Sequence, residues 1–523
     1  MGLNIRKGLF MIMFVSLLFA VACSSDTSDN NTNNEQEAGG TLNIAVDASP
    51  PSLDQPTSTA TNARDTSRLI FESLVTTDSE FSPVPMLAES IETEDNQTFT
   101  FHLRQGILFH NGEEMIAEDV IASMERWLEK SSITGNIFNG ATWTAEDDYT
   151  VVLELQSPSA LVLDTIATSK QGAAIMPKEI VDSAPAEGVT EYIGTGPYKF
   201  VEWQQDNYIK FEKYEDYQPL DMEPDGLAGK REALVDEIYF HIVTDPSTRL
   251  TGLQTGEYDF VYGVPLDNYE QLQNDPNLET ILEPEANNLL GLNNVEGPAS
   301  DFKLRQAINT ALDAETIMMA GYPNEDFYWL DSGYMDVHIA NWASTAGSEY
   351  YNQNDMEKAK QLLEESEYDG EEFTIITTRD YFYLYNIGVV IQEQLKQLGM
   401  NVKLEVYDWP TMLDLRDNKL SEWDGFITSS TTVSTPPQLL VLSSSWAGGV
   451  NDDFVGEAMK AIETAPTIEE AHDLWDDLQL YVWEELLPAV QLGGNSTLYG
   501  SSSKVQGIET TSGPIFWNVT VSE

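Results

Sequence analysis

Cysteine is nearly absent from this chain: Cys23 is the only one in 523 residues. A lone thiol rules out an internal disulfide and, by itself, a cysteine-based metal site, so its position matters more than its redox chemistry. Basic residues are scarce too, 26 Lys and Arg against 87 Asp and Glu, for a formal net charge of -61. Nucleic-acid binding needs cations to neutralise phosphates, which excludes that class and disfavours direct docking on anionic lipid. The acids are spread along the chain and not gathered in one tail, the pattern of a solvated surface whose self-repulsion is least at high ionic strength. No apolar run reaches the roughly 20 residues of a membrane-spanning helix. The signatures G-x-S-x-G, H-E-x-x-H, G-x-x-x-x-G-K-[ST] and G-x-G-x-x-G are all missing. The five histidines, at 102, 110, 241, 338 and 472, stand too far apart for metal-ligand spacing on a helix. Paired acids such as Glu113-Glu114 and Glu371-Glu372 follow from the abundance of acids and carry no information about acid-base catalysis.

What is present begins at the amino terminus. Arg6 and Lys7 precede an uncharged, apolar run from Gly8 to Ala22, followed by small and polar residues, which is the pattern of a secretory signal segment over residues 1–22. Ala20-Val21-Ala22-Cys23 resembles the lipobox of bacterial lipoproteins, with Ala20 where that motif usually has leucine. The resemblance implies an acylated Cys23 holding the protein, extracytoplasmic, to the cell membrane; two or three acyl chains anchor where a single chain does not. Ser24 to Ala38 contains no large apolar residue and reads as a flexible tether spanning residues 23–38, with a reach of roughly 50 Å at full extension. The folded body is expected from Gly39.

Strand and helix patterns alternate through that body. "GTLNIAV" (40–46) and "TFTFHL" (98–103) alternate as half-buried strands do, while Ala117, Val120, Ile121, Met124 and Trp127 share one helical face. The clearest unit spans 373–407. "FTIITT" is a β-rich run, and Ile387, Val390, Ile391, Leu395 and Leu398 form a helical stripe. Gly399 supplies the stop and "NVKLEVY" resumes as a strand. This βαβ unit predicts an α/β fold with parallel strands and helices on the sheet faces. "WPTMLDLRD" reads as a further helix leading into the strand "DGFITSS", and no repeat of 20 to 50 residues is visible.

Several long blocks resemble family 5 of the bacterial extracellular solute-binding proteins, the peptide, dipeptide and nickel binders of ABC importers. They are "PSLDQ", "PMLAES" (85–90), "TFTFHLRQGILFHNGEEMIAEDVIASMERW" (98–127), "GTGPYKFVEW" (194–203), "LRQAINTALDAETI" (304–317) and "EQLKQLGMNVKLEVYDWPTML" (393–413), in the family's order across nearly the whole body. The resemblance implies a periplasmic-binding-protein-like type II fold (cluster C). Lobe I would comprise 39–75, 194–288 and 491–523, with an inserted subdomain at 76–193 and lobe II at 289–490. The hinge is expected at "LLGLNNV" (289–295) and the return crossing near 490, and closure of the lobes on a solute is the motion expected of such binders.

In open α/β sheets ligands sit beyond the carboxyl ends of the strands. That rule selects Asp47, Ala48 and Ser49 after the first strand and Thr378 to Tyr381 after "FTIITT". It also selects Ser429, Ser430, Thr431, Thr432 and Ser434 in the run to Thr435. Arg379 suits bidentate capture of a substrate carboxylate, with a surface ion pair as its other reading. Tyr381, Tyr383 and Trp446 are candidates to wall the cleft, while Tyr198, Trp409 and Asp424 read as structural. Peptide-binding members of the family typically carry an aspartate shortly after the strand matching "WDGFI", for the ligand's amino terminus. Here "TSSTTVSTPPQ" (428–438) has no acid before Asp452, so its hydroxyls point to a modified peptide, a sugar or an opine-like compound.

The resemblance thus implies a monomeric, cofactor-free receptor capturing a peptide or peptide-like solute and delivering it to the transmembrane subunits of an ABC permease, while the isolated histidines give no support to a metal site of the nickel branch. It implies neither catalysis nor nucleic-acid binding. A secreted cell-wall or peptide hydrolase and a solute-sensing receptor are the competing readings, and the hydrolase lacks any local nucleophile-base signature.

Overall fold

The structure, a computed structural model, describes residues 39–522, so the expected signal segment, Cys23 and nearly all of the tether lie outside the described residues. Two long antiparallel strands, Leu278–Leu292 and Ala489–Ser502, run through the middle of an 11-stranded sheet. On one side the second of them pairs with Phe260–Val261, which runs parallel to Thr41–Val46, itself parallel to Glu237–Ile242. On the other side Leu278–Leu292 pairs with Gly425–Thr431, which runs parallel to Glu372–Thr378, itself parallel to Asn401–Tyr407. Each flank is built on parallel strands, the first extended by antiparallel Tyr208–Lys213 and Tyr198–Gln204, and the long central pair runs between them.

The 372–407 unit forms as its periodicity requires. The strand Glu372–Thr378 leads into the helix Phe382–Leu398, and Gly399 ends it in the left-handed region at φ 114°, where a side chain would be strained. Ile387, Ile391 and Leu395 are fully buried beneath this helix, together with Phe373 and Ile427. Each such side chain contributes about 1.5–3 kcal/mol when removed from water.

A separate core lies between Leu74 and Ile175. Phe99, Phe101, Trp127 and Trp143 pack the helix Ala117–Lys130 onto a 4-stranded sheet of Ala88–Glu92, Thr98–Leu103, Thr150–Glu154 and Thr142–Asp147. An internal ion pair joins this body to the segment after the first strand. Asp54 of "PSLDQ" accepts from Arg126 of "SMERW", with Nη1 to Oδ1 at 2.9 Å and a second contact from Nη2 to Oδ2, and also from the Val189 backbone N–H at 2.9 Å. Two of the blocks that carry the family resemblance are therefore two halves of one structural clasp.

The central pair is irregular where the flanks meet. Register slips between Pro284 and Ala286, leaving Glu285 unpaired in a bulge, and again between Asn288 and Leu289 opposite Gly493. Bulges bend a strand and re-aim its side chains. Gly493 has φ 138°, and a Cβ there would collide with the Trp329 carbonyl.

Candidate functional site

The strand ends picked out from the sequence lie around this irregular crossing. After Val46, Asp47 and Ala48 are exposed and Ser49 is half-buried, and the Ala48 carbonyl accepts from Asn62 Nδ2 at 3.0 Å. After Thr378, Arg379 is exposed with its guanidinium 4.2 Å above the Tyr385 ring, and among the described residues it has no ion pair. Asp380 accepts from the Trp409 backbone N–H at 2.7 Å, so it fixes the start of the helix Trp409–Asn418. Tyr381 is 43% exposed, its ring edge-on to Trp409 at 5.2 Å. Tyr383 hydrogen-bonds with Ser429 and stacks on Tyr322 at 5.5 Å.

At the end of Gly425–Thr431, Ser429 and Ser430 are half-buried and Thr431 is exposed. Beyond it Thr432 Oγ1 donates to Asp336 Oδ2 at 2.8 Å, and Ser434 Oγ donates to Thr168 Oγ1 at 3.4 Å. Trp446 packs on Phe426 at 5.2 Å. Side chains alternate along a strand, so Phe426 and Ser429 face opposite sides of the sheet, and Trp446 is not brought together with the serine and tyrosine at the strand ends.

Groups from remote parts of the chain complete the cleft. Glu285, aimed outward by its bulge, is exposed yet has protein on several sides. Burial lifts its carboxyl above the usual range, Arg64 and a hydrogen bond from Asn495 oppose the rise, and Asp47 adds to it. Its backbone carbonyl faces the Thr432 N–H at 3.5 Å. Asn495 is held in turn by Asn288 Nδ2 at 2.8 Å, and Asn288 Oδ1 accepts from Tyr322 OH at 3.2 Å. Burial and the charges of Asp47, Asp380 and Glu285 raise the Tyr381 hydroxyl's pKa. Lys170 Nζ donates to Thr431 Oγ1 at 2.9 Å.

Next to the hydroxyl-rich loop lies an acid that no local pattern reveals. Asp336 accepts from His338 Nδ1 at 2.7 Å, a bond that raises the imidazole's pKa. Burial alone would lift the Asp336 carboxyl, but the bonds from His338 and Thr432 bring it below the usual range. Glu285, Asn495, Arg64, Lys170 and Asp336 were all missed by sequence reasoning, because what places them at the cleft are segments distant in the chain. The hinge expectation at 289–295 came within a few residues of the bulge at Glu285. A separate cavity of about 870 Å³ opens between residues 136–159 and 437–464. Two of its acids already have internal work, since Asp452 caps a helix through the Val455 N–H and Glu463 accepts from Asn136.

The arrangement offers paired tyrosine rings, clustered hydroxyls and both signs of charge at the meeting of two α/β units. It suits a small polar solute held by hydrogen bonds and charge. The family model described as bacterial extracellular solute-binding proteins, family 5 Middle, matches residues 82–451. A probable peptide ABC transporter periplasmic-binding protein of Sinorhizobium fredii is 29% identical over 474 residues, covering 86% of this chain and 88% of that protein. The oligopeptide-binding protein AppA of Bacillus subtilis is 26% identical over 484 residues, covering 84% of each. Among solved structures, the periplasmic binding protein DppA of Helicobacter pylori, in complex with the peptide STSA, superposes with a TM-score of 0.75 at 24% identity, covering 93% of this chain and 99% of that one. AgaA of A. tumefaciens R10, in complex with agropinic acid, gives a TM-score of 0.73 at 23% identity, covering 92% and 99%.

Proposed function

The chain belongs to family 5 of the bacterial extracellular solute-binding proteins, and from that premise we propose that it captures a peptide-like solute for an ABC importer. The observation that carries this reading is the convergence of strand ends from both α/β units on the bulged central pair. Relatives named for peptide and oligopeptide binding support the cargo class.

On this reading lobe I comprises residues 39–75, 194–288 and 491–523, with an inserted subdomain at 76–193 and lobe II at 289–490; the independent core between Leu74 and Ile175 supports the insertion. The solute contacts Ala48 and Ser49 from lobe I and Arg379, Tyr381, Tyr383 and the 429–434 hydroxyls from lobe II. Closure brings a recognisable shape to the permease subunits. Diacylated Cys23 holds the receptor at the membrane, and Cys23→Ser is expected to release it into the medium. Retention of that variant on washed membranes overturns the anchor.

Native mass spectrometry of residues 39–523, purified without dialysis, tests the cargo. Peptide-like masses leaving with the protein are the expected result, a ladder for a broad peptide importer and one mass for a dedicated one. A protein that emerges empty, and whose melting temperature no peptide or peptide-like probe raises, overturns the cargo. Turnover of any probe instead makes the protein a hydrolase.

A further inference from the structure

Lysines in this chain are usually answered by carboxylates, as Lys210 is by Glu237 at 2.8 Å and Lys403 by Glu405 at 2.6 Å. Lys358, Lys460 and Lys504 are not, and all three stand exposed. Lys170 differs from both groups. It is partly shielded, no carboxylate of the described residues lies within 4 Å of its ammonium, and its hydrogen bond runs to the neutral Thr431 hydroxyl at 2.9 Å. Burial and the like charge of Arg64 hold its ammonium below the usual lysine range.

An unanswered, partly buried cation costs free energy, and the cost is unexpected in a protein with 87 acidic side chains available to answer it. Its place is informative as well. Lys170 follows the helix Val162–Ala167, and its partner ends a strand 261 positions later. Thr431 lies opposite Ala286, next to the bulged Glu285, so the ammonium stands at the edge of the cleft. The Thr168 and Ser434 hydroxyls meet along the same seam at 3.4 Å.

We propose that Lys170 and the Thr431 hydroxyl form an anion subsite that takes a carboxylate of the bound solute. The proposal rests on the solute-binding reading above and narrows its cargo to solutes that carry an acid. The net negative field of the protein repels such solutes, so a local ammonium is needed to hold them, and a charge-assisted bond to it is short and strong. An anion held there joins the segment that carries Lys170 to the end of the 425–431 strand.

Trialanine and its carboxy-terminal amide, titrated calorimetrically into the wild type and Lys170→Met, test this. The acid is expected to bind about ten-fold more tightly than the amide in the wild type. Lys170→Met should abolish that preference and Lys170→Arg should keep it. Equal binding of acid and amide by the wild type overturns the subsite while leaving solute capture intact. If neither form binds, the peptide cargo falls, and the melting temperature of the ligand-free protein decides the subsite. Lys170→Met unchanged or raised supports it, because the lysine then serves only an absent anion. A drop of several degrees overturns it, because the lysine is then a strut to Thr431.

Discussion

Asp54→Ala is expected to destabilise the folded protein by about 3–5 kcal/mol, the usual result of stripping one partner from a buried ion pair. Asp54 is 0% and Arg126 6% exposed. The guanidinium meets the carboxylate through two nitrogens, and the Val189 N–H completes the carboxylate's shell. Removing the acid leaves a buried guanidinium without its counter-charge, and the main-chain donor at Val189 also loses its acceptor. The double variant Asp54→Ala with Arg126→Met is expected to be less damaging than Asp54→Ala alone, since no charge is then left buried. Urea unfolding of the two proteins and the wild type reads both effects. A single-variant loss below about 1 kcal/mol, the range of an exposed pair, would show that the clasp does not hold the 74–175 body to the rest.

Asp164→Asn is expected to abolish a large pH dependence of stability. Asp164 lies in the short helix Val162–Ala167 and is 6% exposed. The strands packed on that helix, Val75–Thr77 and Pro83–Pro85, carry no ionisable side chain. Burial pushes its carboxyl up to about 7, opposed only by hydrogen bonds from the backbone and from Asn341. The folded pKa therefore lies above the unfolded one, near 3.9, so the folded state binds the extra proton. The stability this confers is complete below about pH 4 and is lost as pH rises through about 7. Some three units correspond to about 4 kcal/mol. Asp424, lifted to about 6 by burial, acts in the same direction over a narrower window. The difference between wild type and Asp164→Asn removes every such shared contribution. It should be near zero at pH 4 and favour the variant by about 4 kcal/mol at pH 8, whereas parallel stability curves would mean that Asp164 does not titrate in this range. The contact ties residue 164 to 341, and four residues earlier the Ala160 N–H donates to the Ala465 carbonyl at 2.9 Å.

The fold was legible wherever its cause is local. Three-to-four-residue spacing wrote the 382–398 helix, Gly399 its end, and alternation the flanking strands, because each depends on neighbours within one or two turns. The family blocks were legible as a resemblance, but not their work. That "PSLDQ" and "SMERW" hold the two halves of one ion pair is a fact about packing between residues 72 positions apart.

The candidate site divides in the same way. The strand-end rule nominated Asp47, Ala48, Ser49, Tyr381 and Ser429 from the chain alone, since a parallel strand's carboxyl end can be read from its pattern. Which side of the 425–431 strand faces the cleft was beyond reach, and so Trp446 was grouped with residues it does not meet. Glu285 turns outward only because the pairing of two strands slips by one residue, and Asp336 meets Thr432 only because two distant loops pack together. Composition determined that this protein is strongly acidic, with 26 basic against 87 acidic side chains. Tertiary structure alone decided which partly shielded lysine of the described residues is left without an acid. Pairing among charges depends on distances through space, and Lys170 acquires its place at the cleft from a strand end 261 residues away.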